Sequence, residues 1–558
     1  MKRPALLLRS LLLLALAGAA LWYANSMITA VFYYRSPLRN SPPAPVSPAA
    51  PPLSDRVVVV LIDALRYDTA LNAAVMPVLN DLRARGAQAV MHSRPSSFSQ
   101  PGYSTLLTGA WPEINDGPAM NVPTGDIWTF TQDDLFSSAA RAGLRTGVSA
   151  YDWFEKLLPA GVVSDPFYTR GEDAAADRQV VDAALGWLRA GQTKLVLIHI
   201  DQVDYAGHHE GGPRDPRWNA AAARADSLLG EILFTLDLNN DTLLVVSDHG
   251  QIDAGGHGGT DPVTLVEPFV LAGKGVLPGD FGDVQMVDVA PTVAVLLGAG
   301  APASNQGRPL LEMLAFDPAQ KEALRAADTV QKESLLAAYR KAVGVPGPVN
   351  TPPARDSATA PQSAAGQELE AVRDARLARE RLARGLGIGI PVLLAAAWFA
   401  LRLRRDALSR RALLAGLVYA AGFHLIYTLV DRHPYTFSWV PGVSGLIVYI
   451  LLRTAAAFLL ALLVALPLRR LFRQFGRVER ASAVLSAGWV TWAITALPVV
   501  YSLFLNGPLP VWTLPDFPST YLALLQAVQA GGVGILTVIL AGLALATGPR
   551  DSRAAHSL

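Results

Sequence analysis

The 558-residue chain contains no cysteine, which excludes disulfides, thiolate metal sites and cysteine nucleophiles. A metal bound here must be held by histidine, aspartate and glutamate. Charge is also scarce. Charged residues make up 17% of the chain and hydrophobic residues 51%, against roughly 25% charged in average soluble proteins, so part of the chain belongs in lipid. The net charge of +1 argues against nucleic acid as a partner. The apolar runs read as free of mid-span charge, and so as bearing no mark of an ion path. His424 and Tyr427 lie within one of them and read as packing residues.

What the chain does have is six apolar runs and one stretch of α/β texture. Lys2, Arg3 and Arg9 precede or open the first run. Residues 1–30 read as an N-terminal transmembrane anchor, with a cleaved signal peptide as the alternative. Either way the next segment is exported. Residues 31–54 form a Pro-rich linker, extended and semi-rigid. Residues 55–316 alternate β-branched runs (VVVVLI, LVLIHI, LLVVS) with helical segments near 173–190 and 218–237, the pattern of a mostly parallel sheet flanked by helices. Residues 317–385 read as a helical stalk with a loop at 344–362, or as a disordered linker. Residues 386–548 hold five further apolar segments, an α-helical transmembrane bundle. Arg402, Arg404, Arg405, Arg410 and Arg411 fill one connection, and Arg469, Arg470, Arg473, Arg477 and Arg480 another. The positive-inside rule then sets six spans, both termini cytoplasmic and the α/β domain extracytoplasmic, an integral protein of a bacterial-type plasma membrane. The C-terminal Arg550 and Arg553 agree. Arg373, Arg376, Arg379, Arg381 and Arg384 would lie outside, and their neighbours Glu368, Glu370, Asp374 and Glu380 point to a charge-laced helix.

Three predicted strands end in acids. Val57–Ile62 runs into Asp63, Leu195–Ile200 into Asp201 and Asp204, and Leu243–Ser247 into Asp248 and His249. Parallel sheets bind ligands beyond the carboxyl ends of their strands, so these side chains converge. A lone Asp there is ordinarily a turn or cap residue; three, joined by His208 and His257, are harder to explain so. The ligand count is Asp63, Asp204, His208, Asp248, His249 and His257. Six N/O ligands suit two divalent cations such as zinc, which about 4 Å apart can clamp both oxygens of a phosphoryl transfer. A nucleophile is available at Ser99, just before a helix signalled by Pro101. At a helix start its hydroxyl would meet N–H donors and a positive dipole end, although local sequence alone favours reading it as a helix cap.

Taken together, Leu-Ile-Asp63-Ala-Leu-Arg-Tyr-Asp, His199-Ile-Asp-Gln-Val-Asp204-Tyr-Ala-Gly-His208 and Val-Ser-Asp248-His249-Gly through His257-Gly-Gly resemble the alkaline phosphatase superfamily. They are most similar to type I phosphodiesterases/nucleotide pyrophosphatases and to the ethanolamine phosphate transferases of glycolipid-anchor synthesis. The resemblance implies an alkaline phosphatase-like fold. It implies one zinc on Asp204, His208 and His257 and another on Asp63, Asp248 and His249. It implies a covalent intermediate on Ser99, where the two nearest groups carry Thr, with Ser97 and Ser96 as fallbacks. It also implies a substrate-contacting Asn near Asn121. Arg66, Asp68 and His209 receive no role. The implied substrate is a phosphoester, of a lipid or a nucleotide. The first functional expectation is a membrane-embedded phosphodiesterase-like hydrolase; the alternative is a phosphoethanolamine-type transferase acting on lipid or glycan acceptors. A non-catalytic lipid-handling protein is a third reading. Sulfatase chemistry is disfavoured because Tyr103 stands where the S-x-P-x-R pattern needs Arg.

Overall fold

A computed structural model describes residues 3–347, 364–440, 442–466 and 475–547. The β-branched runs become an eight-stranded sheet. In chain order the strands are β1 (Arg56–Ile62), β2 (Ala87–His92), β3 (Thr146–Tyr151), β4 (Asp165–Thr169), β5 (Leu195–Ile200), β6 (Asp241–Val246), β7 (Val266–Gly273) and β8 (Gly279–Gln285). Their spatial order is β4-β3-β5-β1-β6-β7-β2-β8. All pairs are parallel except those of β7, which runs against β6 and β2.

β1 is buried along its whole length, as a central strand covered on both faces must be. Val57, Val59 and Leu61 pack on one side with Tyr103, Leu106 and Leu107 of helix α2 (Ser99–Thr108). Val58, Val60 and Ile62 pack on the other with α3 (Ala174–Ala190) and α4 (Pro216–Thr235). Asp173 and Asp215 cap these last two helices by accepting backbone N–H bonds, which removes orphan donors at each start. The register sets Ile62 beside Ile200 and Leu61 beside Val246. The three central strands therefore end level, and the acids that follow them share one crevice.

Among the described residues six helices are long and apolar enough to cross a membrane: α1 (Arg3–Phe32), α5 (Ala364–Arg405), α6 (Ala407–Leu425, continued by a turn of wider helix to Val430), α7 (Val443–Ala465), the pair α8 (Arg477–Thr495) and α9 (Leu497–Asn506), and α10 (Phe517–Thr547). α1 lies tightly on α10. A side chain at Gly534 would come within 2.6 Å of Ala17, and one at Gly531 within 2.5 Å of Leu21, the small-residue packing that lets membrane helices approach.

Two features differ from the pattern read in the sequence. The charged stretch before residue 385 does not end there but continues into the apolar span as one 42-residue helix, α5. Glu380 bridges Arg376 and Arg384 one turn either side, and no proline interrupts before Pro391. The run 482–505 is two helices, because Pro498 lacks the N–H that a continuous helix would use. The arginines that sat awkwardly with the topology have partners. Arg381 and Arg384 donate to the carbonyls of Leu505 and Phe504 at the end of α9, where cations complement the helix dipole. The Pro-rich segment is pinned by Arg35 and Ser36, which both bond Asp116. The loop expected at 344–362 lies mostly outside the described residues, as do Arg469, Arg470, Arg473, Arg550 and Arg553.

Candidate active site

Asp63 follows β1, and Ala64 behind it adopts a left-handed φ of 57°. That bend lets the Ala64 N–H donate to Asp248 Oδ1 at 3.2 Å. After β5 the chain turns into a short helix carrying Asp204, then a wide turn over Ala206–Glu210 that brings His208 back towards it. Asp248 and His249 follow β6. His257 sits on a loop in which Gly255, Gly256 and Gly258 have φ of 82°, 108° and 100°, conformations open mainly to glycine.

Two clusters result. In the first, His208 Nε2 and His257 Nε2 lie 2.9 Å apart, and Asp204 lies 3.5 Å from the former and 3.4 Å from the latter. In the second, His249 Nε2 lies 3.5 Å from Asp63 Oδ1 and 3.3 Å from Asp248 Oδ2. The rings of His249 and His257 stack at 3.9 Å, so the clusters adjoin. Ser99 Oγ lies 3.2 Å from His249 Nε2. All six ligand-type residues expected from the sequence thus fall in two adjoining clusters, and Ser99 touches the second through His249.

The electrostatics fit cations. Asp63, Asp248 and His249 are buried, and Asp63 Oδ1 and Asp248 Oδ2 have no hydrogen-bond partner among the described residues. Buried charges left so are costly. Burial and the nearby Asp63 push the Asp248 carboxyl well up, and burial raises Asp204. Burial also works to raise Asp63, yet the His199 hydrogen bond and the neighbouring His249 outweigh it and hold Asp63 below its ordinary value. Burial, then His249 and His208, lower His257 far below the usual imidazole range, so its ring is a neutral donor of lone pairs. Buried carboxylate oxygens and neutral imidazoles aimed at common points are a donor set for divalent metal. Asp63, His199 and Asp201 form a further group of metal-ligand spacing.

Ser99 occupies the first position of α2. The cap is Phe98, and no side chain caps the helix, so the cap reading of Ser99 does not hold. Ser96 donates to the Ala119 carbonyl, and Ser97 is engaged by Thr264, Gly259 and Gly258. Ser99 is therefore the hydroxyl facing the clusters. Asn121 Oδ1 accepts the Gln100 N–H at 2.9 Å, which sets Asn121 beside the start of α2. Arg66 pairs with Asp68 and Asp253, and His209 stacks on Tyr205.

Several supporting residues escape sequence reading. Tyr103, one turn beyond Ser99, donates to Asp63 and lies 3.0 Å from His199 Nε2. Its position four residues from Ser99 on one helix face was the available signal. Gln251 Nε2 donates to Asp204 Oδ1 at 2.7 Å. Gly207 leaves room for it, since a Cβ there would lie 1.5 Å from Gln251 Oε1. Gln251→Leu is expected to weaken cation binding by about 10–100-fold, the usual effect of losing an outer hydrogen bond to a ligand, as read by zinc titration of the full-length protein.

A cavity of about 800 Å³ joins this site to the membrane helices. Its lining includes Asn121, His208 and His257 together with Ile28 of α1, Ile450 of α7 and Val528 of α10.

A serine at a helix start, beside two adjoining clusters of metal-type ligands beyond the strands of an α/β sheet, is an arrangement able to handle phosphoesters. Residues 57–348 match the family model of the type I phosphodiesterases / nucleotide pyrophosphatases, just over half of the chain, and the protein belongs to that family. It is 27% identical over 331 residues to the catalytic subunit of GPI ethanolamine phosphate transferase 2 of Homo sapiens, covering 51% of this chain and 33% of that protein. It is 26% identical over 340 residues to the catalytic subunit of GPI ethanolamine phosphate transferase 3 of Homo sapiens, covering 53% and 30%. The chain thus spans about a third of the length of these curated relatives. Among solved structures, human ectonucleotide pyrophosphatase / phosphodiesterase 5 is similar with a TM-score of 0.38 and 15% identity, over 44% of this chain and 96% of that one. A protein of the alkaline phosphatase superfamily from Vibrio parahaemolyticus has a TM-score of 0.37 and 16% identity, over 49% and 73%.

Proposed function

We propose that this protein is a membrane-embedded phosphotransferase of the phosphoethanolamine-transferase type, taking its phosphoester from a bilayer lipid. The observation that carries this reading is the cavity, continuous from apolar side chains of three membrane helices to His208 and His257. A water-soluble substrate has no use for that lining, whereas a lipid could keep its chains there while its phosphate reaches Ser99. The ethanolamine phosphate transferases among the relatives support the same reading. Hydrolysis of a phosphodiester is the second reading, favoured by the family match.

In the proposed chemistry Ser99 attacks phosphorus, the ester bond to the lipid breaks, and a phosphodiester to Ser99 forms. An acceptor hydroxyl, or water in the hydrolytic reading, then attacks that phosphorus and frees Ser99. Asp63, Asp248 and His249 would hold one divalent cation and Asp204, His208 and His257 the other, zinc by ligand type. Such cations supply Lewis acidity for the serine and leaving oxygens. At the start of α2 the Gln100 N–H goes to Asn121, the Gly102 N–H to the Phe98 carbonyl and Pro101 has none, which leaves the Ser99 N–H for a phosphoryl oxygen, and Asn121, tied to Gln100, is set to donate its amide. The five arginines between residues 402 and 411 support both termini on the cytoplasmic side, with the α/β domain outside.

Filling the cavity separates the readings. Val528→Trp is expected to lower turnover of a phospholipid at least tenfold more than turnover of a soluble chromogenic diester. Equal effects on the two would remove the lipid reading. Release of free phosphorylated headgroup at an unchanged rate without an added acceptor alcohol would favour hydrolysis.

A further inference from the structure

The loop 431–440 between α6 and α7 rises out of the bundle into the catalytic domain. Thr436 Oγ1 and Ser438 Oγ both donate to Asp261 Oδ2, at 2.8 and 2.5 Å. In return the Thr260 N–H donates to Thr436 Oγ1 at 3.2 Å, and the Gly259 N–H to Ser438 Oγ at 3.1 Å. Both hydroxyl residues are buried. The fit is close: a Cβ at Gly259 would lie 1.7 Å from Thr436 Oγ1, and one at Gly256 2.3 Å from the Ser438 carbonyl. Between those two glycines stands His257.

His257 is held from its other side by the nucleophile segment. Its Nδ1 lies 2.9 Å from the Ser97 carbonyl, and the Gly258 N–H donates to Ser97 Oγ at 3.0 Å. A glycine-rich loop has little stiffness of its own, so these two grips decide where the imidazole points. The membrane grip is itself braced. Asp431 bonds Tyr449 and Arg453 of α7; Arg453 stands in the middle of that helix, a correction to the expectation of spans without a central charge, and Asp431 pairs with it. The Trp439 indole N–H donates to Tyr427 and to Tyr521 of α10.

We propose that Thr436 and Ser438 are positioning residues for the metal centre: they hold the Gly256–Asp261 segment so that His257 completes its cluster with Asp204 and His208. The membrane bundle is then part of the active site rather than only its anchor. This rests on the metal reading above. The neighbours of Thr436 and Ser438, Phe437 and Trp439, pack against the membrane-side cluster and not against the clusters on the two faces of the central sheet, so replacing the two hydroxyls leaves the packing of both sheet faces in place.

The test uses the full-length protein in detergent, with wild type, the Thr436→Val/Ser438→Ala double variant, Thr436→Ser and His257→Ala titrated with zinc after chelation. Hydrogen exchange of residues 255–260 is followed in the metal-free protein. The double variant is expected to bind its first zinc normally and its second 10–100-fold more weakly, with faster exchange at 255–260. Its kcat on a soluble diester should fall at limiting zinc and recover at saturating zinc, and Thr436→Ser should behave as wild type. Wild-type affinity for both ions and unchanged exchange would overturn the proposal, as would equal weakening of both ions with a general fall in melting temperature. A wild type that binds no zinc, or a His257→Ala variant with undiminished affinity, would instead fail the metal reading and the proposal with it.

Discussion

Ser99→Ala is expected to lower turnover of any phosphodiester by about 10³-fold or more while leaving cation content and fold unchanged. Loss of a nucleophile that forms a covalent intermediate has effects of that size. Ser99 makes no cap hydrogen bond, and its Oγ contact is to His249, so its removal costs the helix little. Ser96 and Ser97 cannot substitute, being committed to Ala119 and to the Gly258–Thr264 segment. Kinetics on a chromogenic diester, with thermal unfolding and metal analysis of the same preparations, check this. A variant keeping more than about a tenth of wild-type turnover would exclude Ser99 as the nucleophile.

Chelation is expected to abolish turnover and to lower the melting temperature by several degrees. A cation present at a hundredfold over its Kd contributes about 2.7 kcal/mol to stability. Without it, Asp63 and Asp248 share one buried site, each with a carboxyl oxygen unpartnered among the described residues, and the charge of Asp63 disfavours that of Asp248. Replacing Asp248 by Asn removes one of those charges at constant shape. Asp248→Asn should therefore be inactive, yet its metal-free form should melt at a higher temperature than metal-free wild type. Thermal unfolding of both proteins, with and without chelator, measures this, and identical metal-free melting temperatures would show that the carboxylates do not strain the empty site.

The sheet and the six clustered residues are legible in the sequence because each rests on a local pattern. A β-branched run ending in an acid places that acid beyond a strand, and the central strands β5, β1 and β6 end level. His208 is legible because it stands four positions after Asp204 with a glycine just before it. What escapes is what depends on distant chain meeting distant chain. Asp261 meets Ser438 across 177 residues, and nothing in Thr-Phe-Ser announces a contact with a metal loop. The glycines at 256 and 259 are a partial signal, since each leaves room for that loop. Gln251 is missed because a polar residue in a glycine-rich loop reads as solvent-exposed, whereas it is buried against Asp204. The continuity of α5 is missed because a charged and an apolar stretch read as two elements, although alternating Glu and Arg form helix as readily as leucine does.

The most direct measurement is mass analysis of the peptide bearing Ser99 after brief incubation of the full-length protein with phospholipid vesicles in detergent, without acceptor, and an acid quench. The account predicts a phosphodiester adduct on Ser99 with the mass of headgroup plus phosphate, absent from Ser99→Ala. Lipid turnover with no adduct at Ser99, at any quench time, would contradict it.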